Sequence, residues 1–500
     1  MAAATAMALC LAVAMPASAQ TLSPAEAWAG LQALAEGAGL SVTSTSVDET
    51  GSAMTASGVR IAPSGDPNAV VISMDTLRIE PRGERVVLIP SANLLVDTRG
   101  TDGISRQFQI THDGEISGMI SEESAALDLD FPRLTATLLG GAAPAVTPTP
   151  GKNPRPGATA NESFMLDFTD LGAALSATQT GDSRLTLSAA EVTYDLSFTD
   201  HSSGQPSPAS MSGTLETPEL TFDGTQLALL GQEAVVMSRA FAAGLSAHLT
   251  FASGPSTGWS TQVVEGVPVT VSSEAGPSSM SLSVAEGRFD AEVSAEAGRM
   301  AGSYGPMSGD VTFDGLGLAL GMPLVVTPDD QPARYAFRFE NVTPSPELLT
   351  MVGAGEFAGD SITLVLDLGA QTRLTRELDF EDPGDEPPFE MSTISLDEMR
   401  LAVGDAEFTG TGALTLIGGL AAQMDRDRPE AEGDFVFNLI GGNRLLTRLQ
   451  AMGLVPNDQM FFVRMMMNGL GRSVGEDHLV SDVAVRPGGL VTVNGAPLPF

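Results

Sequence analysis

The sequence predicts a mainly β protein with a few short helices, a β-rich α+β fold built on a long, curved and twisted antiparallel sheet. Aromatic residues make up only 5% of the chain, whereas 54 glycines and 32 prolines supply many turns. From Leu40 onward, apolar and polar residues alternate with a period of two over most of the chain. This alternation predicts a sheet with one buried face and one wet face rich in serine, threonine and aspartate.

The first 19 residues have the features of a secretory signal peptide, although no basic residue precedes the apolar run. That run (7–15) is followed by the small residues Ala17-Ser18-Ala19, which predict cleavage after Ala19 and a periplasmic location. A start codon upstream would explain the missing basic residues. Because Cys10 is the only cysteine, the mature chain is expected to lack thiols, which excludes disulfides and cysteine nucleophiles.

The charge of the chain restricts its partners. With 62 acidic and 25 basic residues, the formal net charge is -37. Such a charge repels nucleic-acid phosphates and anionic lipid headgroups, so neither nucleic-acid binding nor a polybasic membrane patch is expected. Apolar runs are broken by charges, glycine or proline before about 18 residues, so no transmembrane segment is predicted. The expected partners are a lipid-like molecule or an envelope protein, and no cofactor is predicted.

Composition shifts divide the mature chain into four parts. Residues 20–141 contain an N-terminal helix and a first β block, and the Pro-rich segment 142–160 is a loop or linker. Residues 161–433 form a central β-rich region, and residues 434–500 form a C-terminal strand-helix-helix-hairpin unit. The alternative is that residues 20–500 are one continuous elongated domain.

The elements follow in order from a helix that begins after the cleavage site. Ser23-Pro24-Ala25-Glu26 has capping-box spacing, with proline at the first helical position, and Trp28 and Leu31 continue at a helical interval. A helical stretch at 232–247 and a short helix at 344–353 interrupt the later strands. The runs that predict strands are 42–47, 70–79, 86–96, 108–110, 116–120, 185–187, 192–198, 211–215, 220–222, 249–251, 263–271, 280–284, 289–293, 311–313, 335–339, 362–368, 408–416 and 435–439.

Three short motifs are interpreted as turns between strands. Asp223-Gly224 and Asp314-Gly315 occur in similar sequence contexts and predict turns of repeated antiparallel hairpins. The segment Gly254–Gly258 matches the Gly-x-Ser-x-Gly pattern of a nucleophile elbow, but no amphipathic helix follows it. It is therefore interpreted as a hairpin turn.

No motif predicts catalysis or metal binding. The acidic loop Glu381–Glu386 and the run Asp425–Arg428 lack calcium-loop spacing and are interpreted as solvated turns. The histidines are far apart in sequence and show no ligand spacing, which favours surface or turn positions. They are His112, His201, His248 and His478. The sequence therefore predicts that the protein is not an enzyme.

The C-terminal unit, 434–500, is the most regular segment, and its closing hairpin, 479–485 and 490–495, is predicted to return and pair with the strand before the helices, 435–439. Its first helix ends at Gly453 and its second begins after Pro456, and together they are predicted to cap one end of the sheet. The Met/Phe-rich second helix either packs inside this cap or presents an adaptable apolar surface to a ligand. The residues of this candidate surface are Met460, Phe461, Val463, Met466, Met467 and Leu470.

Four stretches of the chain carry a resemblance to a known family. They are the signal peptide, the Ser-Pro-Ala-Glu-Ala-Trp helix at 23–28, the turn Met452–Gln459 and the stretch Gly475–Asp482. With these the chain resembles a bacterial envelope family, domain of unknown function 2125. The ending, with Leu-Val-Thr-Val-Asn-Gly at 490–495, is also similar to the ending of envelope proteins of the YdgA and AsmA-like type. These resemblances imply elongated, twisted β-sheets, in some cases with an apolar groove implicated in lipid handling.

The combined expectation is a non-enzymatic periplasmic protein that binds an apolar or amphiphilic, lipid-like ligand or a protein partner. One alternative is a carboxylate-dependent hydrolase that acts on envelope polymers, which two buried carboxylates facing each other across a cleft would favour. The other is a purely structural assembly factor without a pocket. Whether the apolar faces form an open groove or a filled core distinguishes among these functions.

Overall fold

The computed structural model describes most of the chain from residue 23 onward. The described residues are 23–37, 40–63, 70–99, 105–120, 124–142, 162–178, 182–200, 207–227, 237–378, 388–424 and 430–498. The predicted signal peptide with Cys10, His201, the acidic loop Glu381–Glu386 and the run Asp425–Arg428 all lie outside the described residues. The described chain is mainly β, with antiparallel pairing, which confirms the predicted class.

The chain divides into two compact units. The first comprises Met1–Glu233 and Gly244–Ser272, and the second comprises Ala234–Ala243 and Ser273–Phe500. This division does not follow the Pro-rich segment 142–160. The strands on either side of that segment pair directly, with Met165 opposite Thr137, which is the arrangement of a loop between two neighbouring strands.

The first unit contains one described helix and sixteen strands. Its elements are α1 (Pro24–Gly37), β1 (Leu40–Thr43), β2 (Ser46–Thr50), β3 (Ala53–Pro63), β4 (Val70–Arg82), β5 (Arg85–Pro90), β6 (Asn93–Arg99), β7 (Ser105–His112), β8 (Glu115–Ile120), β9 (Ser124–Ala142), β10 (Ser163–Thr178), β11 (Ser183–Ser188), β12 (Glu191–Asp200), β13 (Ser207–Glu216), β14 (Glu219–Thr225), β15 (Ser246–Ser253) and β16 (Ser256–Val264). The boundary between the units falls within β17 (Val267–Ala275).

The second unit contains the remaining strands and five further described α-helices. Its elements are α2 (Met237–Ala242), β18 (Ser278–Ala285), β19 (Arg288–Tyr304), β20 (Met307–Pro323), β21 (Gln331–Pro344), α3 (Pro346–Met351), a 3-10 turn (Gly355–Phe357), β22 (Ile362–Leu374), β23 (Phe389–Val403), β24 (Ala406–Leu416), α4 (Gly419–Met424), β25 (Ala431–Ile440), α5 (Gly442–Ala451), α6 (Asn457–Leu470), β26 (Arg472–Gly475), β27 (His478–Arg486), β28 (Leu490–Val493) and β29 (Ala496–Pro497). Strands β18 to β25 pair in chain order, and β27 pairs with β25 as predicted for the closing hairpin.

Several long strands bend near their middle. Strand β9 pairs with β8 through 125–130 and with β7 through 134–142. In β3 the bend lies at Gly58, whose φ is 59°, and a Cβ added there would lie 2.6 Å from the hydroxyl oxygen of Thr45. Both Ala56 and Val59 are buried although they are three residues apart. The bend therefore shifts the alternation by one residue and keeps apolar side chains on the same face.

Three motifs were interpreted as hairpin turns. This interpretation is wrong, because all three lie at or inside strands. Asp223-Gly224 is part of β14, and Asp314-Gly315 lies within β20. Asp314 faces Asn341, whose amide nitrogen donates to the aspartate at 2.8 Å, so the pair stabilises a bend. Gly254-Pro255 joins β15 to β16, which pair with β14 and β13 respectively. This connection is also a bend, and no helix follows it.

The helix predictions are confirmed at both ends of the chain and are wrong in part at 232–247. Ser23 and Glu26 form the predicted capping box, because Glu26 accepts from the Ser23 N–H at 2.8 Å. Of the predicted stretch 232–247, residues 237–242 form α2, whereas Ser246 already belongs to β15. Helix α5 ends in a Schellman motif: Gly453 N–H donates to Gln450 and Leu454 N–H donates to Leu449.

The core of the first unit lies between α1 and the apolar face of its sheet. Ala27 and Trp28 of α1 belong to one buried cluster with Met54, Ile79 and Ile120. A second cluster contains Leu94, Val96, Ile110, Phe131, Leu134, Leu171 and Ala189. Burial of these side chains is the main source of stability of this unit.

Candidate apolar-ligand surface

Six consecutive strands of the second unit, β20 to β25, carry apolar side chains on one face in three aligned rows. Cross-strand pairing places one residue of each strand in each row. The rows are Leu316, Phe339, Leu364, Leu401, Phe408 and Leu439; Leu318, Phe337, Leu366, Met399, Gly410 and Phe437; and Leu320, Tyr335, Leu368, Leu396, Gly412 and Phe435. We call this set of residues the open face.

Many side chains of the open face are accessible to solvent. Leu318 is 48% exposed and Tyr335 is 46% exposed, and Phe339, Leu364 and Leu401 are also exposed. In the first unit, by contrast, α1 covers an apolar sheet face, and Ile79 on that face is fully buried. Aligned exposed apolar side chains form a contiguous patch, whereas on an ordinary protein surface such residues are scattered singly.

Aromatic rings fill the two glycine positions of the open face. A Cβ on Gly410 would lie 2.5 Å from the Phe437 ring, and a Cβ on Gly412 would lie 2.4 Å from the Phe435 ring. The centroids of the two rings lie 6.2 Å apart, and the ring planes are nearly parallel, with an interplanar angle of 6°. Phe437 also stacks on Phe408 at 5.6 Å. The glycines therefore allow these rings to lie against β24 and form a smooth apolar surface.

The opposite face of the same strands is polar and charged. Arg334 pairs with Asp367 at 2.6 Å, and Arg338 lies 2.9 Å from Glu398. The hydrogen bond from Arg334 to Asp367 raises the pKa of the guanidinium. These exposed pairs contribute little to stability, and Thr363 and Val365 on the same face are buried.

The six predicted surface residues of α6 lie on different sides of the helix. Met460 is buried, and Val463 and Met467 are half-buried. Phe461, Met466 and Leu470 are exposed. The structure therefore does not bring the six together as one surface.

Sequence reasoning missed two groups of apolar residues. Phe462 and Met465 lie on the exposed side of α6, and their spacing from Phe461 and Met466 is the helical signal that identifies them. The open face was also missed as a site, although its strands were predicted. Alternation marks one face as apolar, but it does not tell which apolar faces remain uncovered.

Helix α5 is fixed at its N-terminus by Asp477, which has a φ of 46° just before β27. Its carboxylate accepts from the Asn443 backbone N–H at 2.9 Å and from the Arg444 backbone N–H at 3.2 Å. Desolvation opposes ionisation of this group, but these hydrogen bonds outweigh it and lower the pKa of Asp477. The carboxylate therefore acts as a helix cap supplied from the following strand connection.

Arg448 attaches α5 to the connection between β21 and β22. Its guanidinium lies 4.4 Å from the centroid of the Phe357 ring and pairs with Asp360. It also donates to the carbonyl of Glu356.

Met467 and Leu439 both contact Gly442, where an added Cβ would lie 2.8 Å from each side chain. These contacts place α6 beside the row of the open face that ends at Leu439.

Replacing Asp477 with asparagine is expected to destabilise the protein at neutral pH by about 1 kcal/mol, because a charged helix cap is lost. The folded pKa of Asp477 is lowered, so its contribution is present above the unfolded pKa of about 3.9 and is lost as pH falls through the folded pKa. Urea unfolding followed by circular dichroism should show that the free energies of unfolding of wild type and variant become equal in acid. The control is Glu476→Gln at the exposed neighbouring residue. If wild type and Asp477→Asn are equally stable at pH 7, Asp477 does not stabilise the protein as a helix cap.

Within the described ranges, no group of three or more His, Cys, Asp or Glu side chains is placed to hold a metal ion. None of the helices found there is long and apolar enough to span a bilayer.

Comparison with protein-family models, curated proteins and solved structures finds no match to this chain.

Proposed function

We propose that this chain is a non-enzymatic protein of the bacterial envelope that binds an apolar or amphiphilic, lipid-like ligand on the open face. The observation that supports this proposal is the set of three aligned apolar rows across six strands, whose exposed side chains lie in β20 to β23. The signal-peptide features support export to the periplasm. The resemblance to domain of unknown function 2125 and to AsmA-like envelope proteins supports the same compartment and ligand class.

The dimensions of the open face suit an extended acyl chain. Six strands at a spacing of about 4.8 Å give each row a length of roughly 24 Å. Each methylene group that leaves water contributes about 0.8 kcal/mol. A chain that lies along one row therefore gains several kcal/mol without any polar contact, while a polar headgroup remains at the edge.

The main alternative ligand is a protein segment that covers the same rows. Accessible apolar side chains fit a peptide as well as an acyl chain, and a purely structural assembly factor would use them in this way. A carboxylate-dependent hydrolase gains no support from the second unit's polar face, where Asp367 and Glu398 pair with arginines.

We expect lipid to copurify with the full chain when it is isolated from the periplasm without detergent. Organic extraction and mass spectrometry identify the lipid, and an environment-sensitive apolar dye measures binding to the delipidated protein. Added fatty acid should displace the dye. If no lipid copurifies and the dye does not bind, the lipid proposal fails; a copurifying protein that blocks the dye would favour the assembly factor.

A further inference from the structure

The polar face of the first unit carries an ordered set of hydroxyl groups. Cross-strand pairing in β10, β12, β13 and β16 places one residue of each strand in each of three rows on this face. The rows are Ser163, Ser197, Ser210 and Thr261; Met165, Asp195, Ser212 and Trp259; and Asp167, Thr193, Thr214 and Thr257. Eight of these twelve residues are serine or threonine. We call the twelve residues the hydroxyl face.

Trp259 is the only aromatic residue of the hydroxyl face. The large apolar side chains of the same strands lie on the opposite face, where Phe164, Leu196 and Met211 are aligned. Alternation places core side chains on that apolar face, so Trp259 is not part of the core. Trp259 is 49% exposed, and its direct cross-strand neighbour is Ser212. The indole is therefore a large apolar plane that lies among hydroxyl groups and contacts solvent.

The hydroxyl groups near Trp259 are held in cross-strand pairs. The hydroxyl oxygens of Thr214 and Thr257 lie 2.7 Å apart, and those of Ser163 and Ser197 also lie 2.7 Å apart. In the threonine pair one hydroxyl hydrogen lies between the two oxygens, which leaves the second hydrogen and further lone pairs for a ligand. The hydroxyl face therefore offers donors and acceptors together, at positions fixed by paired strands.

The charged groups of the hydroxyl face are acidic. Asp195 is exposed, whereas Asp167 is buried and pairs with Arg133 at 2.7 Å. Together with the formal net charge of -37, this disfavours phosphate groups and anionic polymers as ligands. A protein partner also fits poorly, because serine and aspartate are depleted in the cores of protein interfaces. An acyl chain finds no continuous apolar row here, since polar residues separate Met165 from Trp259.

We propose that the hydroxyl face binds an uncharged glycan chain. A pyranose ring has a face of C–H groups, which packs on an indole, and a rim of hydroxyl groups that both donate and accept hydrogen bonds. The row that ends at Trp259 crosses four strands, and three intervals of about 4.8 Å give it a length of roughly 14 Å. This length suits a short oligosaccharide with one ring on Trp259 and the following rings over Ser212 and Asp195. The site does not use the open face, so it does not rest on lipid binding.

The test is isothermal titration calorimetry of the full chain with cellohexaose and chitohexaose, which are uncharged, and with hexagalacturonic acid, which is anionic. Wild type should bind at least one uncharged hexamer, and it should bind the anionic hexamer at least about tenfold more weakly because of charge repulsion. Trp259→Ala should lower the affinity for the uncharged hexamer at least about tenfold, whereas Trp259→Phe should retain part of it. Since Trp28 is buried, a change in tryptophan fluorescence on binding reports on Trp259.

Two further variants separate the hydroxyl face from the apolar face behind it. The matched control is Phe198→Ala, which removes an exposed aromatic ring on the opposite face of β12 and should bind the hexamer as wild type does. The double variant Thr214→Val/Thr257→Val keeps the side-chain shape but removes both hydroxyl groups. It should weaken binding by about threefold or more, because hydrogen bonds to the glycan are lost.

Four results would overturn the proposal. They are a wild-type chain that binds neither uncharged hexamer, a Trp259→Ala variant that binds as wild type does, an equal loss of affinity in Phe198→Ala, and tighter binding of the anionic hexamer. Circular dichroism of each variant controls for folding. Dye binding to the open face is measured on the same samples and should be unchanged in Trp259→Ala. Hexamer binding without dye binding rejects only the proposed lipid ligand, whereas dye binding without hexamer binding rejects only the glycan site.

Discussion

Replacing Phe337 with aspartate is expected to abolish binding of apolar dyes and fatty acids to the open face. Phe337 lies in the middle row between Leu318 and Leu366, with Tyr335 and Phe339 at ring-centroid distances of 6.2 and 6.1 Å. A bound acyl chain would desolvate the new carboxylate without pairing it. The penalty is several kcal/mol, so the affinity should fall by at least about 100-fold.

The matched control is Ala336→Asp, the same new side chain one residue away on the opposite face. Ala336 lies between Arg334 and Arg338 in β21 and opposite Asp367 of β22, so a carboxylate there meets two guanidinium groups as well as one carboxylate, and it does not enter the open face. This variant should bind dye with the wild-type affinity. An equal loss of dye affinity in the two variants would show that the open face is not the binding surface. Unchanged dye affinity in Phe337→Asp would lead to the same conclusion.

Replacing Trp28 with alanine is expected to lower the free energy of unfolding of the first unit by about 3–5 kcal/mol. Trp28 is 8% exposed and belongs to the cluster that joins α1 to the sheet. Removing the indole leaves a cavity that Met54 and Ile79, held in paired strands, can fill only in part. Urea unfolding followed by far-ultraviolet circular dichroism measures the loss.

Trp259→Ala provides the control for this prediction. Trp259 is 49% exposed in β16, and the same change of side chain there should alter stability by no more than about 0.5 kcal/mol. A small effect in Trp28→Ala would mean that α1 does not contribute to the core. A large effect in Trp259→Ala would mean that another segment covers this residue in solution.

Local sequence signals predicted several elements correctly. The capping box at Ser23 and Glu26 depends on residues three positions apart, and Gly453 ends α5 because a left-handed residue is required there. The pairing of β27 with β25 followed from a closing hairpin with an apolar alternation. The first two signals act over a few residues, so they can be read without a tertiary structure.

The bends of the long strands were not predicted. Asp314-Gly315 has the composition of a turn, yet Asn341 from the neighbouring strand donates to Asp314 and the strand continues. Gly254-Pro255 likewise has turn residues but joins two strands that pair with different partners. A turn and a bend use the same residue types, and the distinction depends on which strand lies alongside.

The sequence alone determined the fold class and, between the bends and bulges, which side chains share a face, because alternation in a strand is a local consequence of backbone geometry. It did not determine which apolar faces are covered. In the first unit α1 packs over Met54 and Ile79, whereas in the second unit Leu318 and Tyr335 remain exposed. Only the tertiary structure decided this, because burial depends on segments that are distant in sequence and pack over a face after its strands have paired.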